Sequence, residues 1–217
     1  MSQLRLYDHA ASCNCFKVRL LLAQLGLDYE RVPIDIFDGA TLTDEFQRLN
    51  PMRTTPVLQL PDGRTLLESN AILGYLAEGT PLLPVDAVGR AEVMRWLIYE
   101  QTDVIPTMGG LRFRLLTGRL EPDDPKAVRR REAGEEVLRL LDAHLAGRDF
   151  FVGDAYSIAD ICIYGYTHVA DEAGIDVSPH RHFNEWLERV RSQPRHVNDV
   201  ESYGANAAPG AGRSIYD

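Results

Sequence analysis

Cysteine is scarce: there are three in 217 residues, Cys13, Cys15 and Cys162, an odd number. The chain opens on Met-Ser-Gln-Leu-Arg-Leu, without the basic start, apolar stretch and small-residue cleavage site of a secretory leader. Together these features exclude a disulfide scaffold and predict reduced thiols in a cytoplasmic protein. No apolar run approaches the ~20 residues that span a bilayer, so no membrane partner is expected. Positive charge is also in short supply: 23 Lys and Arg stand against 32 Asp and Glu, a formal net charge of −9. Both the first 80 residues and the remainder are acidic, which excludes an extended nucleic-acid footprint. There is no P-loop, no glycine fingerprint after the first strand, no His-Glu-x-x-His and no Gly-x-Ser-x-Gly. The six histidines lack metal-ligand spacing, so no metal is expected. What remains, 45% hydrophobic and 25% charged, is the composition of an ordinary globular protein.

Leu4 to Tyr7 reads as a short strand. Val18, Leu21, Leu22 and Leu25 then fall at i, i+3, i+4 and i+7, a helical stripe that stops at Gly26. Tyr29 to Ile34 is a second strand, completing a βαβ unit. A polar helix near Thr43 to Leu49 ends at Asn50-Pro51. Val57 to Leu60 and Thr65 to Leu67 flank Pro61-Asp62-Gly63-Arg64, a hairpin signature, and Ser69 caps a helix that runs to Gly79. Pro81 to Pro84 reads as a linker, and beyond it strand signals vanish. Gly89 to Arg119 is helical with a break or bend expected at Ile105 to Gly110, where a proline and two glycines fall. Lys126 to Ala146, Ser157 to Ala173 and His182 to Ser192 are further helices, and the charge run Arg129 to Glu136 is a solvated helix face. Gly204 to Gly212 is rich in small residues and expected to be loosely ordered. The fold class is therefore an α/β domain of βαβ-ββα order over residues 1–80, followed by an all-α domain over 88–217.

Three short stretches can carry chemistry. Asp8 to Cys15 leads directly into the first helix, whose unpaired N–H groups stabilise an anion such as a thiolate. A hydroxyl or thiol at Ser12 or Cys13 is well placed there, and a plain helix cap by Ser12 or Asn14 is the alternative. Thr54-Thr55-Pro56-Val57 brings a proline into a strand, which requires an edge position or a special peptide geometry. Glu68-Ser69-Asn70 places a carboxylate and a hydroxyl at a helix start, able to meet a ligand ammonium and carboxylate. Asp8 and His9 are adjacent at a strand end and point opposite ways, so His9 is expected to reach solvent or a loop backbone. Cys162 reads as an inert core residue.

In this order these pieces resemble the cytosolic glutathione transferase family. Leu6-Tyr7, Ser12-x-Asn14, Lys17-Val18-Arg19 and Leu25-Gly26-Leu27-x-Tyr29-Glu30 are similar to its first βα unit. Asn50-Pro51, Thr55-Pro56-Val57-Leu58 and Leu67-Glu68-Ser69-Asn70 are similar to its proline turn and glutamyl-binding turn. Ser157 to Asp160 and Trp186 to Arg189 are similar to its capping box and last core helix. The resemblance spans the chain from about residue 4 to about residue 195.

The family implies a thioredoxin-like first domain, a helical second domain, a homodimer, and glutathione as cosubstrate with a small electrophilic substrate. It implies a cis bond before Pro56 that turns the Thr55 backbone toward the cysteinyl part of glutathione. Glu68 and Ser69 would take the γ-glutamyl ammonium and carboxylate, and Arg53 would lie near the glycine carboxylate. Ser12 matches the activating serine of theta-like and bacterial classes, and is preferred here to Tyr7, which matches the tyrosine of animal classes. Cys13 matches a redox cysteine of omega-like relatives and Asn14 the asparagine of disulfide-reducing ones, so glutathione-dependent disulfide exchange competes with conjugation. The electrophile site would draw on Tyr99, Met108, Arg112 and Phe113, with Arg112 and Arg114 favouring an anion. A non-catalytic glutathione- or protein-binding module is the remaining alternative.

Overall fold

A computed structural model describes residues 3–216, which form two compact units. One holds the chain up to Leu76 together with everything from Val197 onward, and the other is Ala77–His196.

The first unit is built on four strands, β1 (Leu4–Asp8), β2 (Tyr29–Pro33), β3 (Val57–Gln59) and β4 (Thr65–Leu67), in the order β2-β1-β3-β4. β2 runs parallel to β1, with Leu6 opposite Arg31, while β3 and β4 run antiparallel, with Leu6 opposite Leu58 and Val57 opposite Leu67. The helices α1 (Cys13–Leu25), α2 (Asp44–Leu49) and α3 (Ser69–Ala77) complete the expected βαβ-ββα order. α1 ends because Gly26 adopts φ 65°, a left-handed conformation that costs glycine little, and its N–H closes back on Ala23 and Leu22. One face of the sheet buries Tyr7, Phe46 and Val57 together, with the rings of Tyr7 and Phe46 edge to face at 6.4 Å. The Thr55–Pro56 bond is cis, as the family resemblance implies.

α1 is more deeply enclosed than its leucine stripe indicates, because Lys17 and Arg19 are buried along with its apolar residues. A buried cation is tolerable only when paired. Lys17 Nζ donates to Asn70 Oδ1 at 3.0 Å, and Arg19 Nη1 donates to Asp8 Oδ1 at 2.5 Å. Asp8, at the end of β1, is held on its other oxygen by Arg31 Nε, also at 2.5 Å.

The tail departs from expectation. Residues 197–216 are not loosely ordered and do not group with the helices they follow; they pack on the first unit. Asn206 Nδ2 donates to Asp35 Oδ2 at 2.7 Å, and the Arg213 N–H donates to the Phe37 carbonyl at 2.8 Å. Small residues here serve close packing: a Cβ built on Gly212 would lie 2.4 Å from the carbonyl oxygens of both Asn206 and Phe37.

The second unit contains α4 (Ala87–Tyr99), α5 (Gly110–Leu116), α6 (Pro125–Leu145), α7 (Ile158–Thr167) and α8 (Arg181–Arg191). The break or bend expected at Ile105 to Gly110 takes the form of a change of winding rather than an end to the helix. Glu100–Gly109 winds as a π-helix joining α4 to α5, so the Gly110 N–H reaches the carbonyl of Ile105 and Pro106 sits inside the helical path. The helix expected over Ser157 to Ala173 is instead α7 followed by a short 3₁₀ turn at Ala170–Ala173. The core is aromatic, with Trp96 and Phe151 at 4.6 Å and Phe151 and Trp186 at 5.0 Å between ring centroids.

α7 starts on a capping box made by Ser157 and Asp160. Asp160 is fully buried and accepts from the N–H groups of Phe151 and Ser157, both at 3.0 Å, the Ser157 hydroxyl at 3.2 Å and the Trp186 indole N–H at 2.9 Å. His168, at the other end of α7, stacks on Tyr164 at 4.6 Å and donates from Nδ1 to the Tyr164 carbonyl at 2.8 Å. Burial above all, with the nearby Arg112, Arg191 and His196 charges, drives its pKa down to about 4. The unfolded chain therefore binds a proton here that the folded protein refuses, and stability is lost as pH falls from about 6.5 toward 4. Denaturant titrations should show about 2 kcal/mol lost from this group between pH 7 and pH 5, a dependence that His168→Gln flattens. Equal slopes for the parent and the variant would refute it.

Candidate active site

The β1–α1 turn is set by two bonds. The Ser12 N–H donates to the carbonyl of His9 at 3.0 Å, and Ser12 Oγ accepts from the N–H of Cys15 at 3.3 Å. Ser12 is thus the N-cap of α1, with extended backbone angles, as the plain capping reading held. Capping uses an oxygen lone pair and leaves the hydroxyl proton available, so the same group can donate to an anion at the helix start. Ser12 and Asn14 are half-buried, but Cys13 is 1% exposed and Cys15 fully enclosed.

The three sequence constellations meet in the first unit. Ser69 Oγ donates to Asn14 Oδ1 at 3.1 Å, joining the start of α3 to that of α1, and the Lys17–Asn70 bond repeats the link one turn on. The Cys15 thiol faces the side chains of Thr55 and Ser12, both of which pull its pKa down, so α1 lies beside the proline turn. Burial above all, with the nearby Asp8 carboxylate, pushes that thiol up to about 12. Cys15 is therefore a neutral packing group beneath the turn.

Glu68 and Arg53 sit at φ 64° and 59°, left-handed angles that cost a residue with a Cβ roughly 1–2 kcal/mol. Glu68 is exposed, with its side chain at the mouth of α3, while Ser69 is 3% exposed. Arg53 is half-buried and donates from Nη2 to Gln47 Oε1 at 3.1 Å. Asn50 holds this loop, donating to the Thr54 carbonyl at 2.8 Å and accepting from the Met52 N–H at 2.9 Å.

Tyr7 lies elsewhere. Its ring is in the Phe46 cluster and its hydroxyl donates to Gln59 Oε1 at 3.3 Å. His9 Nδ1 meets the Ile34 carbonyl at 3.0 Å, the loop-backbone partner anticipated for it. In the second unit, Met108 and Arg112 are buried, and Arg112 Nε is committed to Glu172 Oε2 at 2.5 Å. Arg114 Nη1 donates to the Gly110 carbonyl at 2.7 Å and Phe113 is half-buried. Tyr99 lines an open cavity of about 640 Å³ with Asp103, Thr107, Val137 and Leu140. The sequence placed Arg19 only within the family-like Lys17-Val18-Arg19 stretch, and nothing in it pointed to Asp199; the signal for Arg19 was charge, its own and that of Lys17, on a leucine-rich helix.

Comparison with known proteins places this architecture. The glutathione S-transferase N-terminal domain matches residues 11–78 and the C-terminal domain of the same family matches 100–194. The chain belongs to the glutathione S-transferase family and is an enzyme of that family. It is 33% identical to glutathione S-transferase 3 of Zea mays over 89% of this chain and 91% of that one. It is 34% identical to maleylacetoacetate isomerase of Mus musculus, covering 90% and 94%, and 30% identical to disulfide-bond oxidoreductase YfcG of Escherichia coli, covering 85% and 89%. Among solved structures, a glutathione S-transferase from Pseudomonas fluorescens superposes with TM-score 0.88 at 40% identity, covering 92% of this chain and all of that one. A glutathione transferase from Pseudomonas putida, with one glutathione disulfide bound per subunit, superposes with TM-score 0.79 at 28% identity, covering 89% of each chain.

Proposed function

We propose that this enzyme binds glutathione along the first unit, ionises its thiol at Ser12 and directs the thiolate onto a small electrophile. The observation that carries the proposal is the Ser12 hydroxyl at the first turn of α1, a turn that the Ser69–Asn14 bond ties to the start of α3. The extended tripeptide pairs with the Thr55 backbone. Its γ-glutamyl carboxylate meets the first amides of α3 and the Ser69 hydroxyl, which turns its one proton from Asn14 to the ligand, its ammonium meets Glu68, and Arg53 faces the glycine carboxylate. A thiol of ordinary pKa near 8.5 is only a few per cent ionised at neutral pH. Lowering it by two units takes ~2.7 kcal/mol, within reach of one hydroxyl donor and a helix N-terminus. The thiolate forms the new bond to carbon as the leaving group departs with the electron pair. The enclosure of the Tyr7 hydroxyl against Gln59 supports Ser12 as the activating group. A homodimer acting in the cytoplasm is part of the proposal, carried over from the family.

The second reading, attack of the same thiolate on a disulfide with release of the other sulfur as thiolate, is favoured by the glutathione disulfide held by the Pseudomonas putida neighbour. The burial of Cys13 argues that such exchange would run through Ser12 and Asn14. Capture on immobilised glutathione, followed by turnover of a chloronitrobenzene and of hydroxyethyl disulfide, separates the readings. Capture without either turnover would support a binding module, and no capture would refute the proposal.

Glu68 supplies a check on binding alone. Glu68→Gln should weaken glutathione about 20-fold by calorimetry, the loss of one charge-assisted bond, and leave the melting temperature unchanged because the side chain is exposed. An unchanged dissociation constant would remove Glu68 from the site.

A further inference from the structure

The segment after Val197 runs over the residues that precede Ser12 and is fastened to them at successive points. Arg19 Nε donates to both Asp199 carboxylate oxygens at 3.0 Å, and its Nη2 donates to the Asp199 carbonyl at 3.2 Å and the Ala10 carbonyl at 3.4 Å. The Glu201 N–H donates to the same Ala10 carbonyl at 3.2 Å. Tyr203 then stacks on the His9 ring, 6.1 Å between centroids and 30° between planes. His9 is the residue whose carbonyl receives the Ser12 N–H, and its own N–H donates to Cys15 Sγ at 3.4 Å. Farther along, the Arg213 N–H on Phe37 and the tight approach of Gly212 anchor the other end.

We propose that Arg19 and Asp199 are positioning residues for Ser12, clamping the His9–Ala10 backbone so that the hydroxyl stays aimed at the thiol. The proposal rests on the Ser12 reading given above. Its physical basis is that a hydrogen-bond donor stabilises a thiolate only when held in place beforehand, and a drift of about 1 Å forfeits most of the effect. The turn has little else to hold it from this side: the Ala10 carbonyl takes its donors from Arg19 and Glu201.

Asp199 is the residue to change. Its side chain is 42% exposed, and without it the buried Arg19 keeps Asp8, so no enclosed charge is stranded. In Asp199→Ala the midpoint for ionisation of bound glutathione, followed by ultraviolet thiolate absorbance, should rise by about one pH unit. At pH 7 kcat with a chloronitrobenzene should fall about threefold and recover in alkaline buffer, with KM for glutathione held within about twofold. Asp199→Glu should restore most of both. Added to Ser12→Ala, Asp199→Ala should shift the midpoint no further, because the clamp acts through that hydroxyl.

A folded Asp199→Ala with the parental midpoint and kcat would overturn the proposal, and so would a drop in kcat with the midpoint unmoved. Should Asp199→Ala fail to fold, Tyr203→Ala, which removes the stacking on His9, must move the midpoint in the same direction, and a parental value there overturns the clamp equally. If Ser12→Ala alone leaves the midpoint at the parental value, the Ser12 reading itself fails. If Ser12→Ala shifts it and Asp199→Ala does not, only the clamp is wrong.

Discussion

Ser12→Ala is expected to lower chloronitrobenzene turnover by up to about 25-fold at pH 7, while Cys13→Ser stays within about twofold of the parent. The magnitude follows from the thiol equilibrium. A depression of two units puts about three quarters of bound glutathione in the thiolate form at pH 7, and its loss returns the population to about 3%. The residual helix-terminus effect keeps the loss finite. Because Ser12 also caps α1 through the Cys15 N–H, the variant should lose about 1 kcal/mol of stability, which denaturation reports separately from turnover. Raising the pH should rescue Ser12→Ala, since an externally ionised thiol no longer needs the hydroxyl. Cys13 is expected to be indifferent because it is 1% exposed, and serine fits its volume. Parental activity in Ser12→Ala, or its loss in Cys13→Ser, would reverse the assignment.

Asp160→Ala is expected to destabilise the protein by about 4 kcal/mol at pH 7, with no direct effect on glutathione affinity. The variant strands the N–H groups of Phe151 and Ser157 and the Trp186 indole in a closed interior, and each unmade bond costs about 1–3 kcal/mol. Burial drives the Asp160 carboxyl up to about 6 against the pull of those same donors. A carboxyl with its folded pKa above its unfolded value takes up protons in the native state first, so its contribution grows as pH falls through 6 and shrinks as pH rises. The gap between parent and variant should therefore widen by about 1 kcal/mol from pH 7 to pH 5, opposite in sign to the His168 effect. Chemical denaturation at both pH values measures it. A gap under about 1 kcal/mol at pH 7 would mean that water reaches the stranded donors.

The first unit was legible because its signals are local. Gly26 after a leucine stripe, Asp62-Gly63 between short apolar runs and Thr43 ahead of Asp44 each dictate a turn or cap within a few residues, and β1 to α3 follow in the expected order. The starts of α1 and α3 meet through the Asn14–Ser69 bond, since the βαβ-ββα order brings the ends of β1 and β4 to one end of the sheet. The sequence did not reveal which thiol or cation would be enclosed. Cys13 and Cys15 look alike as letters, and the Arg19–Asp199 pair is separated by 180 residues, beyond any periodicity. Glu68 and Arg53 occupy backbone angles that the sequence alone would assign to glycine or asparagine. The π-helical passage through Pro106 was missed for the opposite reason: the local rule was correct about a lost donor, but wider winding supplied another route for the neighbouring amides.

All three cysteine thiols lie at 1% exposure or less. Cys15, whose backbone N–H is bonded to Ser12 Oγ, is further quenched by a pKa pushed up to about 12. In the function proposed here the protein spends its working life beside reagents that destroy thiolates. The fold leaves the ionised sulfur to the incoming tripeptide, which departs with the damage, and keeps its own thiols out of the reagent's reach.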